Sequence, residues 1–137
     1  MNGKQELTES LEGLALFADL RRPELEAIAD PEWERRFASG ERVLRKGFSG
    51  TGFYVILEGE AAVEIEGREP RILRRGDFFG EVSTLLGSNP VADVVARTQL
   101  LCLEISGPDL EDFLVAHPRV MLRMLQTVTR RLQDVLE

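Results

Sequence analysis

From Trp33 to Ile105 the chain offers only short strand-length segments, most of them set apart by glycine turns, and this pattern limits the folds open to it. Residues 33–38 alternate in two registers before Ser39-Gly40 turns the chain into Glu41–Leu44. Lys46–Gly52 holds three glycines in seven residues, a loop that needs unusual backbone angles. Phe53–Leu57 is a continuous apolar run, as expected of a strand covered on both sides. Glu58-Gly59-Glu60 forms a tight turn into Ala61–Glu66, where Ala61, Val63 and Ile65 face one way. Gly67–Pro70 turns into Arg71–Arg74, and Val91–Arg97 and Gln99–Ile105 are the last strands. Six or more such strands point to a β-roll, a jelly-roll-like barrel, rather than a parallel sheet.

Helices flank this region. Thr8–Leu20 carries Leu11, Leu14 and Phe17 at spacings of three, with Thr8 or Ser10 as N-cap. Arg22–Asp30 has Pro23 in its first turn, Leu25 and Ile28 inward, and Pro31 at its end. Ser106-Gly-Pro-Asp109 starts a third helix, with Ser106 as cap and Leu110, Phe113 and Leu114 as inner stripe, broken at His117-Pro118. The last helix, Arg119–Glu137, spaces Met121, Leu125, Val128, Leu132 and Val135 alternately by four and three. That is a short heptad seam, fitted either to a parallel dimer or to packing on its own barrel. The 137 residues therefore divide into helices (1–31), β-roll (33–105) and a helix pair (106–137), and form one domain.

Composition removes several function classes. The net charge of −7 opposes nucleic-acid binding unless basic residues cluster. The two arginine groups, Arg68, Arg71, Arg74 and Arg75, then Arg119, Arg123, Arg130 and Arg131, alternate with apolar residues and read as solvated faces. Cys102 is the only cysteine, so an internal disulfide and a cysteine metal site are both excluded; it sits in an apolar strand, where a buried thiol is inert. The single histidine, His117, supplies neither a cupin-type metal site nor a catalytic triad. No apolar leader or bilayer-length run is visible, which points to the cytoplasm. The expectation is a non-enzyme without metal, nucleic-acid or membrane partner.

One segment stands out as a cradle, Gly76-Asp77-Phe78-Phe79-Gly80-Glu81-Val82-Ser83-Thr84-Leu85-Leu86-Gly87-Ser88-Asn89-Pro90-Val91-Ala92. A strand ends in glycine, a short apolar helical turn follows, and a polar loop leads to the next strand. The first turn would direct backbone N–H groups of about Glu81–Ser83 toward an anion. Gly80 permits close backbone approach, and Glu81 is suited to accept from a sugar hydroxyl.

With Leu14–Phe17, Leu20, Phe37–Val43, the run Gly52-Phe53-Tyr54-Val55-Ile56-Leu57-Glu58-Gly59 and the closing helices, Gly76-Asp77-Phe78-Phe79-Gly80-Glu81 resembles the cyclic-nucleotide-binding domain family. This is the sensor module of catabolite-activator-type transcription factors, cyclic-nucleotide-dependent kinases and gated channels. The resemblance covers nearly the whole chain. It implies an eight-stranded β-roll with flanking helices, the last commonly a dimerisation helix. It also implies that Glu81 holds a ribose 2′-hydroxyl, and that the backbone around Gly80, Val82 and Ala92 borders a cyclic phosphate. Phe79, Ser83 and Val91 complete the candidate ligand-binding set.

The departure from the family falls at Val91-Ala92, where members that bind cyclic nucleotide usually carry Arg then Ala or Ser. Losing a charge-assisted hydrogen bond costs roughly 1.5–3 kcal/mol. Asp93 follows and, if near the phosphate, adds repulsion. Arg97 lies about 13 Å further along the strand and is no simple substitute. The expected function is a regulatory sensor or interaction module with weak or no binding of cAMP or cGMP, open to another, less anionic ligand. A homodimer and an effector protein are its expected partners. The alternatives are a structural dimerisation or docking domain whose cassette only closes the barrel, and the N-terminal sensor of a transcription regulator.

Overall fold

The structure is a computed structural model that describes residues 3–48 and 52–136. In chain order it contains helix α1 (Gly3–Glu12), a 3₁₀ turn (Ala15–Phe17), α2 (Arg22–Ile28), a second 3₁₀ turn (Pro31–Trp33), and strands β1 (Glu34–Phe37), β2 (Arg42–Leu44), β3 (Gly52–Glu58), β4 (Ala61–Glu64), β5 (Arg71–Leu73) and β6 (Phe78–Phe79). Helix α3 (Glu81–Leu86), strands β7 (Asp93–Ala96) and β8 (Leu100–Ser106), and helices α4 (Gly107–Ala116) and α5 (Pro118–Leu136) complete it. Residues 49–51 of the glycine-rich loop, and Glu137 of the predicted last helix, lie outside the described residues. The chain forms two compact units, Pro31–Leu110 and Met1–Asp30 with Glu111–Glu137.

The first unit is the β-roll. Two antiparallel four-stranded sheets form, in the orders β1-β8-β3-β6 and β2-β7-β4-β5. Between them lies a core of Leu44, Tyr54, Ile56, Ala61, Leu73, Phe79, Val94, Ala96, Leu100 and Cys102. Phe53–Leu57 is buried at every position, the double-sided cover its unbroken apolar run requires. The turn into β4 depends on Gly59, whose φ is +93° and whose added Cβ would meet the Gln99 carbonyl oxygen.

Several strand boundaries differ from those the sequence implies. Trp33 belongs to a 3₁₀ turn, so β1 starts one residue later. Strand β4 stops at Glu64, leaving Ile65 exposed rather than in line with Ala61 and Val63. Strand β7 begins at Asp93, so Val91 and Ala92 belong to the bend before it. In each case the apolar pattern continues past the last residue with a ladder partner.

In the second unit, α1 starts at Gly3, five residues before the predicted cap at Thr8. Lys4, Gln5, Glu6 and Leu7 are good helix formers, and Leu7 adds a buried turn. Thr8 is itself helical and donates its hydroxyl to the Lys4 carbonyl at 2.8 Å, and Ser10 lies further inside the helix. The helix also ends early, at Glu12 before Gly13, and the 3₁₀ turn buries Leu16 and Phe17. Helix α2 runs Arg22–Ile28 with Pro23 in its first turn, as expected, and buries Leu25 and Ile28.

His117 separates the last two helices, its N–H donating to the Phe113 and Leu114 carbonyls before Pro118 opens α5. Along α5, Val120 and Met124 are buried, and Arg123 grips Asp19 with Nε–Oδ2 at 2.8 Å and Nη2–Oδ1 at 3.1 Å. The hydrogen bond from that guanidinium, with the charges of Arg123 and Arg119, holds the Asp19 carboxyl below its usual range against the opposing effect of desolvation.

Candidate ligand cradle

The cradle is built outward from β3. Strand β6 pairs Phe79 with Tyr54 and Phe78 with Val55, which sets the cassette's start on the central strand. The Phe79 and Tyr54 rings stack at 4.9 Å and 9°, a contact worth about 0.5–1.5 kcal/mol beyond burial. Tyr54 was not singled out by sequence. Burial pushes its phenol well above the usual tyrosine range, aided by a hydrogen bond to Glu104, whose carboxylate lies 3.3 Å from Arg35 Nε. The phenol therefore stays a neutral donor fixed to β8. Its ring also lies against Gly52, where a Cβ would sit 3.0 Å from Tyr54 Cε2.

Gly80 then turns the chain at φ +87°, and an added Cβ would strike the Gly52 carbonyl oxygen of β3. This close approach brings the start of α3 against the central strand. Glu81, its first residue, is only 8% exposed, a rare state for a carboxylate side chain and the mark of a specific setting. Ser83 is also buried and its hydroxyl donates to the Gly80 carbonyl at 3.4 Å, while Val82 is exposed. The Ser88 and Gly87 N–H groups both donate to the Ser83 carbonyl, ending the helix through a left-handed glycine.

The cassette exit is Ser88–Ala92. Ala92 is buried, Val91 is 62% exposed, and neither brings charge. Asp93 does not face the cradle interior. Val94 and Ala96 belong to the core, so strand alternation puts Asp93 and Val95 on the outer face of the sheet. There the Asp93 carboxylate accepts from Arg42 Nη1 at 3.0 Å and from the Lys46 N–H at 2.7 Å. The repulsion anticipated from sequence is therefore compensated. Val94-Val95-Ala96 is apolar on both faces, so composition alone could not say which way Asp93 points. Arg97 lies past the opposite end of β7, its N–H bonded to the Glu60 carbonyl.

The cassette thus holds a buried carboxylate at Glu81, buried Ser83 and Ala92, and an exposed, uncharged Val91. Burial pushes the Cys102 thiol up to about 12, which makes it a poor nucleophile. The His117 ring packs on Phe113, with centroids 4.9 Å apart. Among the described residues no three His, Cys, Asp or Glu side chains gather as a metal site, and no helix is long and apolar enough to cross a membrane.

The seam predicted on α5 lies roughly a quarter turn from its buried stripe. Met121, Leu125, Leu132 and Val135 are exposed, Leu125 and Val135 at about 60%, and Val128 is half-buried. The helix thus carries two apolar faces, of which Val120 and Met124 occupy one.

Comparison with known proteins agrees with this architecture. The chain is 33% identical over 119 residues to the cGMP-dependent protein kinase egl-4 of Caenorhabditis briggsae, covering 82% of this chain and 16% of that protein. It is 30% identical over 115 residues to the cAMP-dependent protein kinase regulatory subunit of Emericella nidulans, covering 82% and 28%. The chain thus spans less than a third of the length of either relative. A solved structure of similar fold is the regulatory subunit of a cAMP-independent protein kinase A from Trypanosoma cruzi bound to guanosine. Its TM-score is 0.73 at 23% identity, over 97% of this chain and 49% of that one. The profile described as cyclic nucleotide-binding domain matches residues 34–117, which include the cassette and strands β1 to β8. The chain belongs to the cyclic nucleotide-binding domain family.

Proposed function

We propose that this chain is a non-catalytic regulatory sensor module whose cassette keeps the sugar-binding half of a nucleotide site and lacks the phosphate-binding half. The observation that carries the proposal is the contrast between buried Glu81 and exposed, uncharged Val91 at the two ends of one cassette. A carboxylate held at the start of α3 can accept from a ribose hydroxyl, whereas a valine offers a phosphate no hydrogen bond. Cyclic AMP and cyclic GMP then bind weakly or not at all, and a neutral ribonucleoside is the better electrostatic match. The trypanosomal neighbour described as cAMP-independent and bound to guanosine supports that second reading of the ligand. Calorimetric titration with cAMP, cGMP, adenosine and guanosine tests it. A nucleoside is expected to bind at least about tenfold more tightly than its cyclic phosphate. Micromolar binding of cAMP or cGMP by the unmodified chain would sink the claim of a defective phosphate grip.

The exposed face of α5 supports a further element of the reading, a homodimer joined along Met121, Leu125, Val128, Leu132 and Val135. Two heptads are marginal alone, so additional surface must contribute. Light scattering at tens of micromolar is expected to give twice the chain mass, and Leu125→Glu with Leu132→Glu to give a monomer of unchanged circular dichroism. A wild-type monomer at that concentration removes the dimer.

A further inference from the structure

The bonds around Asp93 join two segments that the sequence separates by about 45 residues. Besides the two bonds its carboxylate accepts from Arg42 and Lys46, the Gly47 N–H donates to the Pro90 carbonyl at 2.9 Å, and Asn89 Nδ2 donates to the Gly47 carbonyl at 3.3 Å. Residues 42–47 and 89–93 are thereby tied at four points. The exit segment Ser88–Ala92 has no sheet ladder of its own. The pairing of β2 with β7 is irregular beside it, with the register shifting between Arg42 and Leu44. Regular secondary structure therefore does not fix this wall of the cradle; the Gly47–Pro90 backbone bond and the side-chain bonds of Asp93 and Asn89 do.

We propose that Asp93 is a positioning residue, a clamp that holds the segment after β2 against the cassette exit and sets that wall before a ligand arrives. The inference rests on the cradle reading for its consequence in binding, though the clamp itself does not. Charge and position here predict opposite signs. If Asp93 acted only as a negative charge near an anion, its removal would tighten anion binding. As a clamp, its removal leaves the Lys46 N–H and Arg42 without their acceptor, frees residues 88–92, and weakens binding of any ligand the wall touches.

Two measurements separate these outcomes. The first uses no ligand: amide hydrogen exchange in the unmodified chain and in Asp93→Ala. Exchange at the Lys46 and Gly47 amides is expected to quicken about tenfold or more, with β3 and β8 unchanged. Unaltered protection at Lys46 and Gly47 would overturn the clamp. The second is titration of cAMP into Val91→Arg, which supplies the missing cation, and into Val91→Arg/Asp93→Ala. The double variant is expected to bind about five- to tenfold more weakly, and Val91→Arg/Asp93→Asn, which keeps an acceptor for Lys46, in between. Equal or tighter binding by the Ala double variant overturns the positioning role. Faster exchange with no cAMP binding in any variant supports the clamp and overturns the cradle reading.

Discussion

Val91→Arg alone is expected to raise the affinity for cAMP or cGMP by about a hundredfold. A guanidinium paired with a phosphate makes charge-assisted, often bidentate hydrogen bonds worth about 1.5–3 kcal/mol, and 1.4 kcal/mol is tenfold. The backbone needs little change. Val91 is exposed, so a longer side chain displaces no core, and Ala92 is already the small buried residue that follows. Pro90, just before the site, fixes its own φ and restricts Asn89 ahead of it. Asp93 should stay, because its charge is directed outward and engaged by Arg42 and Lys46. The gain should shrink as salt increases, as an exposed charge pair requires. Titration of the single variant against the unmodified chain reads the effect. If the curves coincide for both cyclic nucleotides, Val91 does not stand where the phosphate would lie.

Gly80→Ala is expected to cost about 3 kcal/mol or more of folding stability and to lower the unfolding midpoint by roughly 10 °C. Two effects add. A left-handed backbone at φ +87° costs an alanine roughly 1–2 kcal/mol. The new Cβ also meets the carbonyl oxygen of Gly52, which belongs to the central strand and is held in the ladder to Ser106. A flexible side chain could yield there, but the backbone of β3 cannot without breaking pairs to β8 or β6. Gly87→Ala is the control. It is also left-handed, at φ +65°, yet its Cβ meets nothing within 4 Å, so only the conformational cost of about 1 kcal/mol applies. Thermal melts of the two variants compare them directly, and equal losses would remove the close-approach argument.

Local structure was legible in the chain's pattern. The glycine-set series of short apolar segments implied a β-roll, and eight strands formed in two sheets, because period-two patterns and turn glycines act over a few residues. Leu110, Phe113 and Leu114 were readable as an inner stripe, and all three are buried. The cassette was legible for the same reason, since β6, Gly80, α3 and Gly87 are consecutive. Neither Thr8 nor Ser10 caps α1, because a polar residue inside a helix can return its hydroxyl to the backbone, as Thr8 does, as well as cap. Tertiary structure alone decided what crosses the chain. It placed the Gly52 carbonyl against Gly80, the Tyr54 ring on Phe79, and the second apolar face of α5 away from its buried stripe. It also decided the direction of Asp93. In Asp93-Val94-Val95-Ala96 both faces look alike by composition, and the inward choice of Val94 and Ala96 follows from packing against residues far away in sequence. That choice turns a presumed obstacle to an anion into a tie between β2 and the cassette exit.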